Sequence, residues 1–181
     1  MFQGWDNYFT LTGTASAGLI GLLFVVVTLT AGFERAKALR ANAIYMTPNM
    51  VHFAVVMVTS AIAVAPGVPA PVAALILAGA ALAGLGNAAR TSHGIYGLHQ
   101  SNDPPHWSDI WCYGAAPAAL YLALLGAAAA VWMQARLAVP AIAVLLMILM
   151  LVAIRNAWDL ITWMAPRAGS DMREPPKPPG G

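Results

Sequence analysis

The chain has 181 residues, of which 60% are hydrophobic and 9% are charged, and its mean hydropathy is +0.69. Because soluble domains carry roughly 25% charged residues, this composition excludes an ordinary soluble domain, and it is too apolar for a disordered chain. A formal net charge of +2 without a basic cluster indicates no nucleic-acid-binding surface. The composition predicts an all-α fold, a transmembrane helical bundle.

Charged residues and prolines divide the chain into five predicted membrane spans. A spanning helix needs about 20 apolar residues, and no charge stands between Arg40 and Arg90. Three prolines and a glycine in segment 65–71 split that run into two helices. The predicted spans are 8–32, 45–64, 72–91, 110–133 and 138–163. A four-span bundle is the alternative, if the Ala/Gly-rich third or fourth segment only re-enters the membrane or packs peripherally.

The positions of Lys and Arg predict that the N-terminus is outside and the C-terminus inside. With five crossings, Arg136 is the one basic residue on the outer side, and the other eight fall on the inner side. All six tryptophans stand at or near a predicted helix end, as in an aromatic belt. The first segment lacks a preceding positive charge and a cleavage site, so we expect a retained helix. We therefore expect a multi-pass protein of a bacterial inner (plasma) membrane.

The C-terminal residues and the single cysteine set two further limits. Residues 1–167 form the predicted bundle, and residues 168–181 are rich in Pro and Gly. We expect this last segment to be a disordered cytoplasmic tail, with a Pro-rich docking peptide as an alternative interpretation.

Cys112 is the one cysteine, which excludes an intramolecular disulfide and a cysteine-based metal site.

Small residues at helical spacing predict where the helices approach one another. Apolar burial gives little association energy in lipid, so close backbone contact and interhelical hydrogen bonds must supply it. The predicted packing residues are Gly13, Ala17 and Gly21 in the first helix, Ala80 and Gly84 in the third, and Gly126 and Ala130 in the fourth. We interpret them as packing positions within one bundle, and oligomerisation is the alternative.

Polar residues inside the predicted spans gather toward the inner side of the membrane. Each is costly in lipid and is therefore a candidate site residue. The predicted polar cluster consists of Asn49, His52, Asn87, Arg90, Arg155 and Asp159. One interpretation is a site for a small anion or a proton, with His52 as the titrating group. The interpretation that we favour is structural: the arginines extend to the interface, Asn49 and His52 bond a neighbouring helix, and Arg155 pairs with Asp159 four residues on.

The sequence offers weak candidates for a metal or a cofactor and none for catalysis. His52 could ligate a haem or a chlorophyll-type magnesium, but no second histidine stands at a comparable depth in a span. His93, His99 and His106 fall in the predicted inner loop at spacings that match no compact metal motif. The chain has no nucleophile elbow, P-loop or zinc-protease motif. We therefore expect no cofactor, no bound metal and no enzymatic activity.

The segment 13–26, GTASAGLIGLLFVV, resembles the first helix of small multi-pass integral membrane proteins of proteobacteria. The resemblance extends through Arg40 and the segment 48–66, and some of those proteins carry provisional names as modulators of a membrane protease. The matching residues are packing residues, so the resemblance implies a helical bundle and carries over no active-site residue.

Two functions fit these observations. The first is an accessory, assembly or regulatory subunit that acts through contacts with other integral membrane proteins, as expected for short loops and small-residue helix faces. The second is a transporter or channel for an ion or small solute, formed by oligomerisation around the polar cluster. Membrane lipids surround the protein in both cases, and a homo-oligomer is compatible with either.

Overall fold

The structure is a computed structural model that describes residues 2–30, 46–98 and 110–171. Its helices are α1 (Asp6–Thr30), α2 (Thr47–Val64), α3 (Ala70–Leu98), α4 (Ala116–Trp132) and α5 (Ala138–Asp171), and a π-helical turn (Ile110–Ala115) leads into α4. All five are long and apolar enough to cross a membrane, the turn being counted with α4. The predicted all-α bundle is confirmed, with five helices of spanning length and hydropathy, the third and fourth included.

Two helices continue beyond the ends predicted from the apolar runs. Helix α3 reaches Leu98 instead of residue 91, and α5 reaches Asp171 instead of residue 163. An apolar run marks the part of a helix that crosses the lipid, whereas the hydrogen-bonded helix can continue into the polar layer. Residues 168–171, predicted as tail, are therefore helical. The rest of the predicted tail, 172–181, lies outside the described residues.

Short connections join α2 to α3 and α4 to α5. The first contains Gly67, whose φ of 72° lies in the left-handed region that glycine adopts without a steric penalty. In the second, Gln134 has a φ of 55°. The amides of Gln134 and Ala135 bond the carbonyls of Val131 and Ala130, the Schellman pattern that ends a helix. Both connections are short, and each one only reverses the direction of the chain between two helices.

Helix α2 lies at the centre of the bundle. It packs against α1, α3 and α5, while α3 makes its most extensive contact with α4. The largest fully buried side chains come from all five helices and the turn, and include Phe9, Phe53, Tyr113, Tyr121, Ile142 and Leu146. Leu11, Leu22 and Phe24 of α1 are more than half exposed. One side of α1 is thus left to the lipid.

The exposed tryptophans fit the predicted belt. Trp111, Trp132 and Trp158 are 58%, 56% and 69% exposed, and each is within five residues of an end of an apolar span. An indole ring at the edge of a membrane puts its apolar body in lipid and its N–H among the headgroups. Trp107 lies outside the described residues.

Candidate functional site

The structure divides the predicted polar cluster into a buried and an exposed part. Asn49 and His52 of α2 are fully buried, and Asn87 of α3 is half-buried. The three charged members are exposed: Arg90 on α3, and Arg155 and Asp159 on α5. The predicted ion pair between Arg155 and Asp159 does not occur within the described chain, and the Arg155 guanidinium donates to Asn156 Oδ1 at 3.1 Å. The six residues therefore do not line one cavity.

His52 forms a hydrogen bond with Tyr121, a residue that the sequence analysis did not select. The Nδ1 atom of His52 and the Tyr121 hydroxyl are 2.7 Å apart, and both side chains are fully buried. The two rings are tilted by 43° with their centroids 5.6 Å apart. This hydrogen bond joins the middle of α2 to α4, which agrees with the structural interpretation of His52.

Gly84 of α3 provides the space that the Tyr121 ring occupies. A Cβ atom at residue 84 would overlap the Cε1 and Cζ atoms of the tyrosine ring. The absent side chain thus lets an aromatic ring lie directly on the α3 backbone. We call His52, Tyr121 and Gly84 the central contact, because they bring α2, α4 and α3 together at one depth.

Some buried polar atoms have no hydrogen-bond partner within the described part of the chain. Among them are His52 Nε2 and Asn87 Nδ2. The backbone of Asn87 is engaged, since its carbonyl accepts a hydrogen bond from the Thr91 hydroxyl at 3.0 Å. Buried polar atoms are ordinarily paired, so these two atoms are among the exceptions in the described helices.

A second polar contact joins α5 to the π-helical turn. The buried Asn156 side chain donates from Nδ2 to the Cys112 carbonyl at 2.8 Å, and the Tyr113 hydroxyl donates to the Asn156 carbonyl at 2.8 Å. In a π-helix, the carbonyl of Cys112 would accept a hydrogen bond from the N–H of the residue five positions later. That residue is Pro117, which has no N–H. The asparagine amide supplies a donor in its place.

Hydroxyl groups attach α1 to the bundle. Thr12 Oγ1 and Ser60 Oγ of α2 are 3.0 Å apart, and Ser16 donates to the Phe53 carbonyl at 2.6 Å. Near the start of α1, the Tyr8 hydroxyl donates to the Ala143 carbonyl of α5 at 2.6 Å. The sequence analysis did not foresee these interhelical bonds, which use hydroxyls on one helix to reach neighbouring side chains and backbones.

The predicted packing residues separate into inward and outward positions. Gly13 faces Ser60, where an added Cβ would come to 3.0 Å from the serine Cβ, and Gly84 faces Tyr121. Ala80 and Ala130 are half-buried. Ala17, Gly21 and Gly126 are exposed, and a Cβ at either glycine would meet nothing within 4 Å. Packing within one bundle thus explains some of the seven positions and leaves three on the outside.

Gly126 borders an open groove between α4 and α5. The groove has a volume of about 640 Å³, and small or aliphatic residues line it, among them Ala123, Ala130, Leu137 and Ala141. A groove with such a lining on the surface of a spanning bundle is filled either by lipid chains or by another helix.

The residues considered for metal and haem do not come together in the described chain. His93 is exposed on α3, whereas His99 and His106 lie outside the described residues. No group of three His, Cys, Asp or Glu side chains suited to a metal occurs among residues 2–30, 46–98 and 110–171. His52 Nε2 is enclosed by the bundle, so a haem or chlorophyll-type ring has no access to it in this arrangement.

No family model, curated protein or solved structure matches the chain.

Proposed function

We propose that the chain is a non-enzymatic subunit of a larger complex in a bacterial inner membrane, and that it acts through helix–helix contacts with another integral membrane protein. The inner-side excess of Lys and Arg and the alanine-rich composition support this location. The role is accessory, in assembly or regulation, because the chain consists almost entirely of membrane helices and short connections.

The observation that carries the proposal is the outward-facing groove between α4 and α5. Within lipid, helices associate where small residues let backbones approach closely. Gly126 and Ala123 offer such a surface and are exposed, so packing within this chain does not use them. A partner helix laid in the groove would meet no large side chain along the α4 wall.

The buried polar groups support the same role. Several of the polar side chains within the spans hold the chain's own helices together. Tyr8, Ser16 and His52 each form a hydrogen bond with a helix other than their own, and Asn156 bonds the π-helical turn. The alternative, a transporter or channel formed by oligomerisation around the polar cluster, needs the members of that cluster on one path. The burial of Asn49 and His52 inside the bundle, away from the exposed charged members, does not favour it.

Site-specific photo-crosslinking in the native membrane tests the proposal. A photoreactive residue at Leu137, which lines the groove and is 78% exposed, should give one heterologous adduct. The same probe at Leu82, which is 55% exposed on α3, should give none. Native mass spectrometry of the purified complex should then recover the same partner in a fixed ratio.

A matched pair of glycine substitutions provides the control. Gly126→Leu fills part of the groove and should abolish the Leu137 adduct. Gly86→Leu changes another exposed glycine with nothing within 4 Å of its Cβ position, and it should leave the adduct unchanged. A homodimeric adduct, or no adduct at Leu137, would contradict the proposal.

A further inference from the structure

Arg90 is a charged residue on the lipid-facing surface of a membrane span. It is exposed on α3, five residues before the end of the span Ala70–Ile95. Its side chain forms no hydrogen bond or ion pair within the described chain. A rise of about 1.5 Å per residue puts Arg90 about 8 Å from the end of the span. A guanidinium at that depth extends toward the headgroups and needs an anion there, so its partner comes from outside the described helices.

His93 supplies a second donor beside Arg90. It is exposed and lies three residues nearer to the end of the span, and side chains three residues apart are neighbours on a helix. An imidazole ring donates at least one hydrogen bond in either protonation state. The α3 sequence contains no Asp or Glu. Arg90 and His93 therefore form a basic site, the α3 basic site, with no acidic neighbour on its own helix.

A strip of small residues leads from the middle of the span to the α3 basic site. Gly79, Ala83 and Gly86 are all exposed, and their spacing of four and three residues puts them on the helix face that also carries Arg90. A Cβ at either glycine would meet nothing within 4 Å. Such a strip accepts either another helix or a lipid chain. The charge at its end decides between them, because a phospholipid brings a phosphate to Arg90 and an apolar helix brings none.

We propose that this face of α3 binds one anionic glycerophospholipid from the leaflet on the predicted inner side. Arg90 and His93 donate hydrogen bonds to its phosphate, and one acyl chain lies along the strip of Gly79, Ala83 and Gly86. The absence of a carboxylate on α3 favours a headgroup with a net negative charge, since the ammonium group of a zwitterionic lipid would find no partner there. No α3 residue lines the groove between α4 and α5, so this site is independent of the proposed function.

Native mass spectrometry of the full chain, purified in detergent and titrated with defined lipids, tests the proposal. The probes are phosphatidylglycerol and phosphatidylcholine with identical acyl chains. The unmodified protein should bind one phosphatidylglycerol molecule with an affinity several-fold above that for phosphatidylcholine. Arg90→Gln should weaken phosphatidylglycerol binding about fivefold and remove most of the preference. Gly86→Leu, which puts a large side chain on the strip, should weaken the binding of both lipids.

Arg136→Gln is the matched control, because it removes the same charge from an exposed position in the connection between α4 and α5. It should leave the affinity for phosphatidylglycerol unchanged, and a loss as large as that in Arg90→Gln would overturn the proposal. Equal affinity of the unmodified protein for the two lipids would also overturn it, as would unchanged phosphatidylglycerol binding in Arg90→Gln or in Gly86→Leu. A dimer that Gly86→Leu dissociates would show that a second copy covers the strip, which contradicts the lipid site.

The comparison of the two lipids on the unmodified protein stays decisive if a variant does not fold. In that case His93→Gln replaces Arg90→Gln and should weaken phosphatidylglycerol binding in the same direction. None of these measurements involves the crosslink at Leu137, so their failure leaves the proposed function standing.

Discussion

Tyr121 links three helices by two different means. Its hydroxyl bonds His52 on α2, and its ring lies on the backbone of α3 because Gly84 has no side chain. The sequence analysis selected both neighbours, the glycine for packing and the histidine as a polar residue in a span. It passed over the tyrosine because it examined aromatic residues mainly as interface markers. A tyrosine in mid-span could have been recognised, since a buried phenol hydroxyl needs a partner.

Because the Tyr121 ring lies so close to Gly84, we expect a glycine-to-alanine substitution to destabilise the protein at residue 84 but not at residue 86. Gly84→Ala places a methyl group inside the Tyr121 ring and should lower the free energy of unfolding by about 1–3 kcal/mol, as overpacking does. Gly86→Ala, two residues on with open space around it, should not be destabilising. Reversible unfolding in mixed micelles with increasing SDS measures both. Equal stabilities for the two variants would refute the contact.

The bond from Ser16 to the Phe53 carbonyl should contribute measurably to the attachment of α1. Ser16→Ala should lower the free energy of unfolding by about 0.6–1.7 kcal/mol, the range for interhelical hydrogen bonds in membranes. Thr14→Ala, an exposed hydroxyl on the same helix, is the matched control and should have no such effect. The same SDS titration measures the free energy of unfolding of both variants. A larger loss of stability in Thr14→Ala than in Ser16→Ala would contradict the bond from Ser16 to the Phe53 carbonyl.

At the scale of elements, the sequence reveals the helices but not the irregularity at the start of the fourth span. Apolar runs bounded by charges and prolines are local features, and they predicted every span. The π-helical turn Ile110–Ala115 accepts a hydrogen bond at its Cys112 carbonyl from the amide of an asparagine more than forty residues later. A contact over such a separation leaves no periodic signal in either segment. Which face of a helix points into the bundle also depends on contacts between distant segments. The sequence could therefore group polar residues by their depth in the membrane, but it could not predict which of them face the bundle interior and which face outward.

The Asn156 contact predicts a local response in the turn. Asn156→Leu leaves the Cys112 carbonyl without the amide donor and should lower the free energy of unfolding by about 1–3 kcal/mol. It should also speed amide hydrogen exchange in the turn and the first turn of α4, as measured by mass spectrometry. Asp159→Asn changes an exposed residue one turn further along α5 and should alter neither quantity. Unchanged exchange in Asn156→Leu would show that the turn does not depend on this amide.

For the whole molecule, five antiparallel spans require both short connections to lie on one side of the membrane. The segment 65–69 joins α2 to α3, and 133–137 joins α4 to α5. The bundle itself has no direction, because the helix packing would be identical if it were inverted. Sidedness rests on the distribution of Lys and Arg alone, which predicts that both connections lie outside.

Single-cysteine labelling tests this arrangement most directly. In a Cys112→Ser background, Pro66→Cys and Ala135→Cys each place a thiol at an exposed position in one of the two connections, and Ala38→Cys places one in the basic segment after α1. A membrane-impermeant maleimide applied to spheroplasts should label the first two and reach Ala38→Cys only after the membrane is permeabilised. Labelling of Pro66→Cys and Ala135→Cys from opposite sides would contradict the five-span bundle, and labelling of Ala38→Cys alone in intact spheroplasts would contradict its orientation.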